Sequence, residues 1–264
     1  MPSDNLIVES TQIPAYPSDA SKEMIEAGVF YGCRKSKTNP KMKSCVLMNR
    51  GGIEIINLDK TEDYLNDALS FTKEKVRNGS MVLLAATQPS AEEDILKMAK
   101  KFGFPYVVNR WPGGTITNFK IISKRIEYLK KLRGDLAGGA LDKYTKKERV
   151  MIEREIGRLT DLFGGLENLT REPDLLIVID PRLHSIAVRE AKQKGIPVVA
   201  LGNVDSDPDS VKYLVPGNDN SRKSINWFLT KIESAIEEGL KFKVDVKEEA
   251  EKAGAEIKPI SNEK

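Results

Sequence analysis

Short apolar runs, spaced by longer amphipathic stretches, restrict this chain to very few architectures. DLLIVID (Asp174–Asp180), IPVVAL (Ile196–Leu201) and SMVLLAAT (Ser80–Thr87) each carry their apolar residues consecutively. A strand with one wet face alternates apolar and polar side chains, whereas a strand covered on both faces has no need to. Together with FPYVVN (Phe104–Asn109) and Tyr213–Val215, these runs predict a parallel sheet in an α/β fold. The stretches between them predict helices at Ser21–Ala27, Thr61–Arg77, Ala91–Phe102, Pro181–Lys194 and Ser221–Leu240. Asp59 or Thr61 is expected to cap the second helix, and Gly79 and Gly103 to end helices where φ turns positive. Cys45–Met48 and Ile53–Asn57 flank Arg50-Gly51-Gly52 and predict an early hairpin.

One stretch departs from this rhythm. No strand is expected from Thr117 to about Phe163. Ile122, Ile126 and Leu129 recur at steps of four and three, and after Gly134, Gly138 and Gly139 the stepping returns in Ile152, Ile156, Leu159 and Phe163. Most other positions are charged, so each helix has only a narrow apolar seam. Two such helices predict an antiparallel coiled-coil hairpin with arms of about 25 Å, at about 1.5 Å per residue, projecting from the body. The division expected is an N-terminal extension at 1–19, an α/β body at 20–116 and 166–240, the hairpin insertion at 117–165 and a mobile charged tail at 241–264.

No run approaches the roughly 18 consecutive apolar residues of a membrane helix, and the first residues resemble neither a secretory signal nor an Arg-rich transit peptide. The two cysteines, Cys33 and Cys45, form no disulfide framework and no C-x-x-C pair, so a reducing, cytoplasmic setting without zinc is expected.

Catalytic signatures are missing where they would be looked for. The single histidine, His184, follows the DLLIVID strand close to Asp180, but no nucleophile motif accompanies it, and a packed or solvated imidazole is expected. Asp205, Asp207 and Asp209 alternate and could attract a hard cation. The sixth and twelfth positions counted from Asp205 are Ser210 and Pro216, not the Gly and Glu of a calcium loop, so the aspartates are expected to cap a turn around Pro208. No phosphate-loop or dinucleotide glycine motif is present. Gly113-Gly114, between a strand and a helix, leaves a nucleotide-binding enzyme as a minor alternative, with Asp180 and Asp205 as its only obvious acid–base candidates. No cofactor or metal is expected.

Charge is more telling. The chain is nearly balanced, with 42 Lys and Arg against 39 Asp and Glu, so local imbalance carries the information. Arg34, Lys35, Lys37, Lys41 and Lys43 fall within ten residues that contain no acid. On an exposed loop they would neutralise phosphates, while Asn39 and Thr38 could hydrogen-bond sugar or base edges. The first arm of the hairpin carries Lys120, Lys124 and Lys131 at helical spacings that share a face, whereas the return arm mixes signs. Arg110 is read as a nucleic-acid contact, and Trp111 as a plug between hairpin and sheet.

These segments together resemble the bacterial-type small-subunit ribosomal protein S-two family. The likeness rests on AGVFYGCRKSKTNPKM (Ala27–Met42), INLDKT (Ile56–Thr61), NRWPGGTITNF (Asn109–Phe119), LDKYTKKE (Leu141–Glu148), FGGLENL (Phe163–Leu169) and the run from Asp174 to Ile225. It implies a flavodoxin-like parallel α/β domain with an inserted coiled-coil hairpin. It also implies a non-enzymatic structural role in the small subunit: binding ribosomal RNA and neighbouring proteins, and helping to dock the mRNA-binding protein S-one where that is present. The chain departs from the family in several places. Phe30-Tyr31-Gly32-Cys33 stands where the family has His-Phe-Gly-His, Gly202-Asn203-Val204 where it has Val-Asp-Thr, Asn220 ends its PGNDD, and Ser185 replaces a histidine. The lost imidazoles and carboxylates weaken any metal site, whereas the basic loop keeps its charge. A protein-only adaptor docking through the hairpin is the remaining rival.

Overall fold

The computed structural model describes residues 19–140 and 144–255. The N-terminal extension to residue 18, residues 141–143 and the end of the expected tail, 256–264, lie outside them. The chain opens with α1 (Asp19–Ala27), then β1 (Tyr31–Arg34), β2 (Val46–Arg50) and β3 (Ile53–Ile56). These three strands make a small antiparallel sheet ordered β1-β3-β2. The sequence predicts the β2–β3 hairpin but not β1, whose YGCR carries too little apolar alternation to signal a strand.

The rest is built around five parallel strands: β4 (Val82–Ala85), β5 (Tyr106–Val107), β6 (Leu175–Ile179), β7 (Val198–Gly202) and β8 (Tyr213–Pro216). Their order is β5-β4-β6-β7-β8, which, renumbered within the sheet, is the 2-1-3-4-5 order of flavodoxin-like doubly wound folds. β5 is two residues long, shorter than its apolar run, because it pairs only with Leu84 and Ala85 at the sheet's edge. Alternate side chains enter two cores. Val82, Leu84, Ile177, Ile179, Val199 and Leu201 face one side, and Leu83, Ala85, Leu176, Val178, Val198 and Ala200 the other. Each fully buried Leu, Ile or Val contributes about 1.5–3 kcal/mol, which is why strands without polar alternation are held so firmly.

The first core is closed by α1, α2 (Leu58–Arg77), α3 (Pro89–Phe102) and α7 (Arg222–Ala255). Asn57, not Asp59 or Thr61, caps α2, its side chain accepting from Asp59 N; Thr61 instead donates its hydroxyl to the Pro216 carbonyl. Gly79 and Gly103 take positive φ after α2 and α3, as their positions predict. α7 runs past the expected end near Leu240, because no proline interrupts a stretch rich in Lys, Glu and Ala.

The second core is closed by α6 (Ser185–Gln193) and by the bases of α4 (Phe119–Ala137) and α5 (Lys146–Phe163). α6 starts four residues later than predicted, because Asp180 adopts positive φ and its carboxylate caps the amides of Arg182 and Leu183, so the chain turns before it coils. A capping box between Thr145 and Glu148 opens α5. Ile122, Ile126, Leu129, Leu159 and Phe163 are buried in continuity with the sheet core, while Leu136, Val150 and Met151, nearer the connection, are exposed. None of the described helices is long and apolar enough to cross a membrane.

Candidate nucleic-acid interface

The basic segment is more ordered than a loop. Two short 3-10 turns, Lys35–Lys37 and Pro40–Cys45, follow β1, and Asn39 joins them. Asn39 N donates to the Val204 carbonyl at 2.8 Å, and its Oδ1 accepts from Lys41 N at 3.0 Å. Met42 and Cys45 are buried beneath. The backbone is thereby pinned while Arg34, Lys35, Lys37 and Lys43 stay exposed and, among the described residues, outside ion-pair distance of any carboxylate.

Lys41 differs from them. Its ammonium lies 3.3 Å from Asp207 Oδ1 and also bonds Asp209 Oδ2. Those two carboxylates, Asp209 first, raise its pKa. Asp207 caps the turn at Pro208, as the sequence suggests, by accepting from Asp209 N. Among the described residues no His, Cys, Asp or Glu cluster is arranged to hold a metal ion.

The segment from Asn109 to Phe119 is organised by a residue that sequence reading passes over. Glu190 on α6 accepts from Trp111 Nε1 at 3.1 Å and Gly114 N at 2.8 Å through Oε1. Through Oε2 it accepts from Ile116 N at 3.0 Å, Thr117 N at 3.1 Å and the Thr117 hydroxyl at 3.2 Å. Burial works to raise its pKa, but these donors outweigh burial and hold it below the ordinary value. The amides at Gly114 that might have cradled a phosphate are therefore occupied by the protein's own carboxylate. Trp111 is the predicted plug, while Arg110 beside it is exposed. Nothing in VREAKQK marks Glu190, because its partners lie more than 70 positions away.

α4 leaves this joint with Lys120, Lys124 and Lys131 exposed, opposite the buried Ile122, Ile126 and Leu129. Among the described residues no hydrogen bond or ion pair joins the basic turns directly to α4. The two are linked through α6: Glu190 holds the start of α4, and Lys192 donates to the carbonyl of Asp209, whose carboxylate holds Lys41.

The switch point of the sheet, between β4 and β6, is where folds of this type receive small ligands. Here it is shut. Thr87 N donates to His184 Nε2 at 3.0 Å, and Gln88 Nε2 donates to Asp180 Oδ2 at 3.2 Å. His184 is buried and its pKa is lowered by that burial, so the imidazole is a structural acceptor. Asp205 pairs with Arg182 at 2.7 Å. Asp219 is buried nearby and accepts from Asn203 and Asn220. Burial, then the charges of Asp180 and Asp205, push its carboxyl up to about 7. On the small sheet, by contrast, Tyr31, Leu47, Met48 and Ile53 are exposed beside Arg34 and Arg50.

Comparison with known proteins identifies the family. Residues 24–239 match the family model described as Ribosomal protein S2. The small ribosomal subunit protein uS2 of Corynebacterium urealyticum is 40% identical over 235 residues, covering 89% of this chain and 87% of the relative. That of an Arthrobacter species is 39% identical over 228 residues, covering 85% and 76%. That of Geotalea uraniireducens is 37% identical over 236 residues, covering 89% and 92%. The chain therefore belongs to the ribosomal protein S2 family, whose members are structural proteins of the small ribosomal subunit and not enzymes.

Proposed function

We propose that this chain, working in the cytoplasmic ribosome, binds small-subunit ribosomal RNA through the pinned basic turns, with α4 as a second contact. The observation that carries the reading is the isolation of Arg34, Lys35, Lys37 and Lys43: four exposed cations on an anchored backbone, unpaired among the described residues. A polyanion brought against such a surface releases its condensed counterions, and each phosphate neutralised adds about 0.7–0.9 to the salt dependence of binding. Arg110 and the Lys120, Lys124 and Lys131 face extend the cationic area along the insertion. Asn39 contributes by holding the turns in place, since its Oδ1 serves as their cap.

α4 and α5 act in this reading as an antiparallel coiled-coil strut. Support comes from their buried seam at the base and from Glu190, which fixes the angle at which α4 leaves the body. Neighbouring small-subunit proteins, the mRNA-binding protein S-one among them, are the proposed protein partners. The exposed apolar residues of the small sheet suit such a contact. No cofactor takes part.

The test is a filter-binding titration against small-subunit ribosomal RNA over a range of salt. Replacing Arg34, Lys35, Lys37 and Lys43 by Gln should weaken binding and flatten the salt slope by roughly three, and an unchanged slope would defeat the assignment. Deleting Gly134–Lys146 with closure should leave the body folded but lower entry into subunits on a sucrose gradient. Normal entry would defeat the strut.

A further inference from the structure

We infer that a second cationic surface, along the β8 edge of the sheet, receives a further stretch of RNA backbone; this rests on the RNA-binding reading above. β8 ends the five-stranded sheet. Beside it lies a hollow of about 440 Å³ lined by Phe71, Gly195 and three lysines, Lys75, Lys192 and Lys212.

The lysines are held in place. Phe71 stacks on Tyr213 of β8 with ring centroids 4.8 Å apart. Lys212 Nζ sits 4.3 Å from the Phe71 centroid and Lys75 Nζ 5.5 Å from it. Lys192 reaches in from the last turn of α6 and donates to the Asp209 carbonyl at 3.2 Å. Among the described residues none of the three forms an ion pair. The one carboxylate that lines the hollow, Asp209, bonds Lys41 instead, although it still attracts Lys192 at longer range.

Like charges gathered in a concavity repel one another and focus an attractive field on an anion. The arrangement is also continuous. Lys212 lines an adjoining hollow of about 300 Å³ together with Lys41 and Asp67, and Lys192 lines another of about 370 Å³ with Arg182, Arg189, Asp205 and Asp207. Lys41 and Arg182 are held there by aspartates, while Lys192, Lys212 and Arg189 form no ion pair among the described residues. The track thus leads from the basic turns, round the β8 edge, to the outer side of α6. An open hollow lined by three lysine point charges, with further unpaired cations in the hollows beside it, suits a chain of phosphates better than one buried anion, and RNA better than a single acidic peptide motif.

The full chain would be titrated with small-subunit ribosomal RNA. The triple change Lys75→Gln, Lys192→Gln, Lys212→Gln should reduce the salt slope by about two to three, while the same positions changed to Arg keep it. Hydroxyl-radical protections lost in the Gln variant should differ from those lost when the basic turns are neutralised. In the wild type, RNA should shield these three lysines from acetylation, a measurement that needs no variant to fold. Unchanged slope or unshielded lysines would overturn the edge track while leaving the basic turns standing. A wild-type chain with no salt-dependent RNA binding would overturn both. A Gln variant that keeps its slope but loses a protein neighbour in the subunit would give the edge to a protein and overturn the inference.

Discussion

The indole N–H of Trp111 donates to Oε1 of Glu190 across 3.1 Å, and both side chains are buried between α6 and the start of α4. The same carboxylate takes the amides of Gly114, Ile116 and Thr117, so one side chain fixes how the chain runs from the sheet into α4. Hydrogen bonds to a charged group are worth about 1.5–3 kcal/mol each, and losing the acceptor leaves buried donors unpaired. Glu190→Ala is expected to cost about 3–5 kcal/mol by chemical denaturation, because it strands several buried donors at once. Glu190→Gln should cost less, since one oxygen remains to accept. The sign of the pH effect follows from the lowered pKa. The folded state favours the carboxylate, so its stabilisation is present above the ordinary glutamate range and is lost as acid titrates it below that range. The difference in midpoint between wild type and Glu190→Gln should therefore shrink on acidification. A constant difference would refute the charged role.

Asp219 shows the opposite sign. Its carboxyl, pushed up to about 7 by burial and then by Asp180 and Asp205, is protonated in the folded chain at pH values where the unfolded chain ionises. Stability from this group is full below the unfolded aspartate pKa of 3.8 and declines as pH rises to about 7. Asp219→Asn removes that decline. Its stability relative to wild type should improve between pH 5 and pH 7, by at most about 1.4 kcal/mol per pH unit. Parallel stability curves for the two proteins would show that Asp219 ionises normally.

The sheet was legible because apolar runs with no polar alternation have one common explanation, burial on both faces. The pairing of Thr87 with His184 and of Gln88 with Asp180 was not, because each joins residues more than 90 positions apart with no sequence period to announce it. Glu190 is hidden in the same way, its partners lying 73 to 79 positions away. Gly165 is an intermediate case. Its glycine pair is plain in the sequence, but only the fold shows that a Cβ at Gly165 would collide with the Tyr106 carbonyl oxygen on β5. Lys41 is exposed, as its segment predicts, yet its charge is engaged by Asp207 and Asp209, which lie 166 and 168 positions further along the chain. Charge counting along a segment cannot see a neutralising loop that arrives from elsewhere.

That engagement makes Lys41 separable from its neighbours. Changing Lys35, Lys37 or Lys43 singly to Gln should each lower the salt slope of RNA binding by about 0.7–0.9. Changing Lys41 to Gln should alter the slope less, because its charge is already balanced. Affinity should nevertheless fall, because two carboxylates then stand unpaired beside the basic turns. Asp209→Asn added to Lys41→Gln should restore part of that affinity. Equal slope changes at all four lysines, with no recovery in the double variant, would show that Lys41 releases its partners to meet phosphate directly.

The two ends of the α4–α5 pair should respond differently to truncation. Leu129 is fully buried where α4 meets the sheet core, with Leu159 and Phe163 close by in the same cluster. Removing its isobutyl group leaves a cavity that a dense core refills poorly, so Leu129→Ala should cost about 2–5 kcal/mol in overall stability. Met151, in the first turns of α5, is 61% exposed. Met151→Ala removes little buried surface and should fall within about 0.5 kcal/mol of wild type. Amide hydrogen exchange extends the same comparison along each helix, because local opening is easiest where few apolar contacts hold a turn. Amides near Ile126 and Leu129 should exchange only with global unfolding, and those beyond Leu136 faster. Uniform protection along both helices, together with a large loss in Met151→Ala, would mean that the distal turns carry packing of their own and that α4 and α5 are anchored along their whole length.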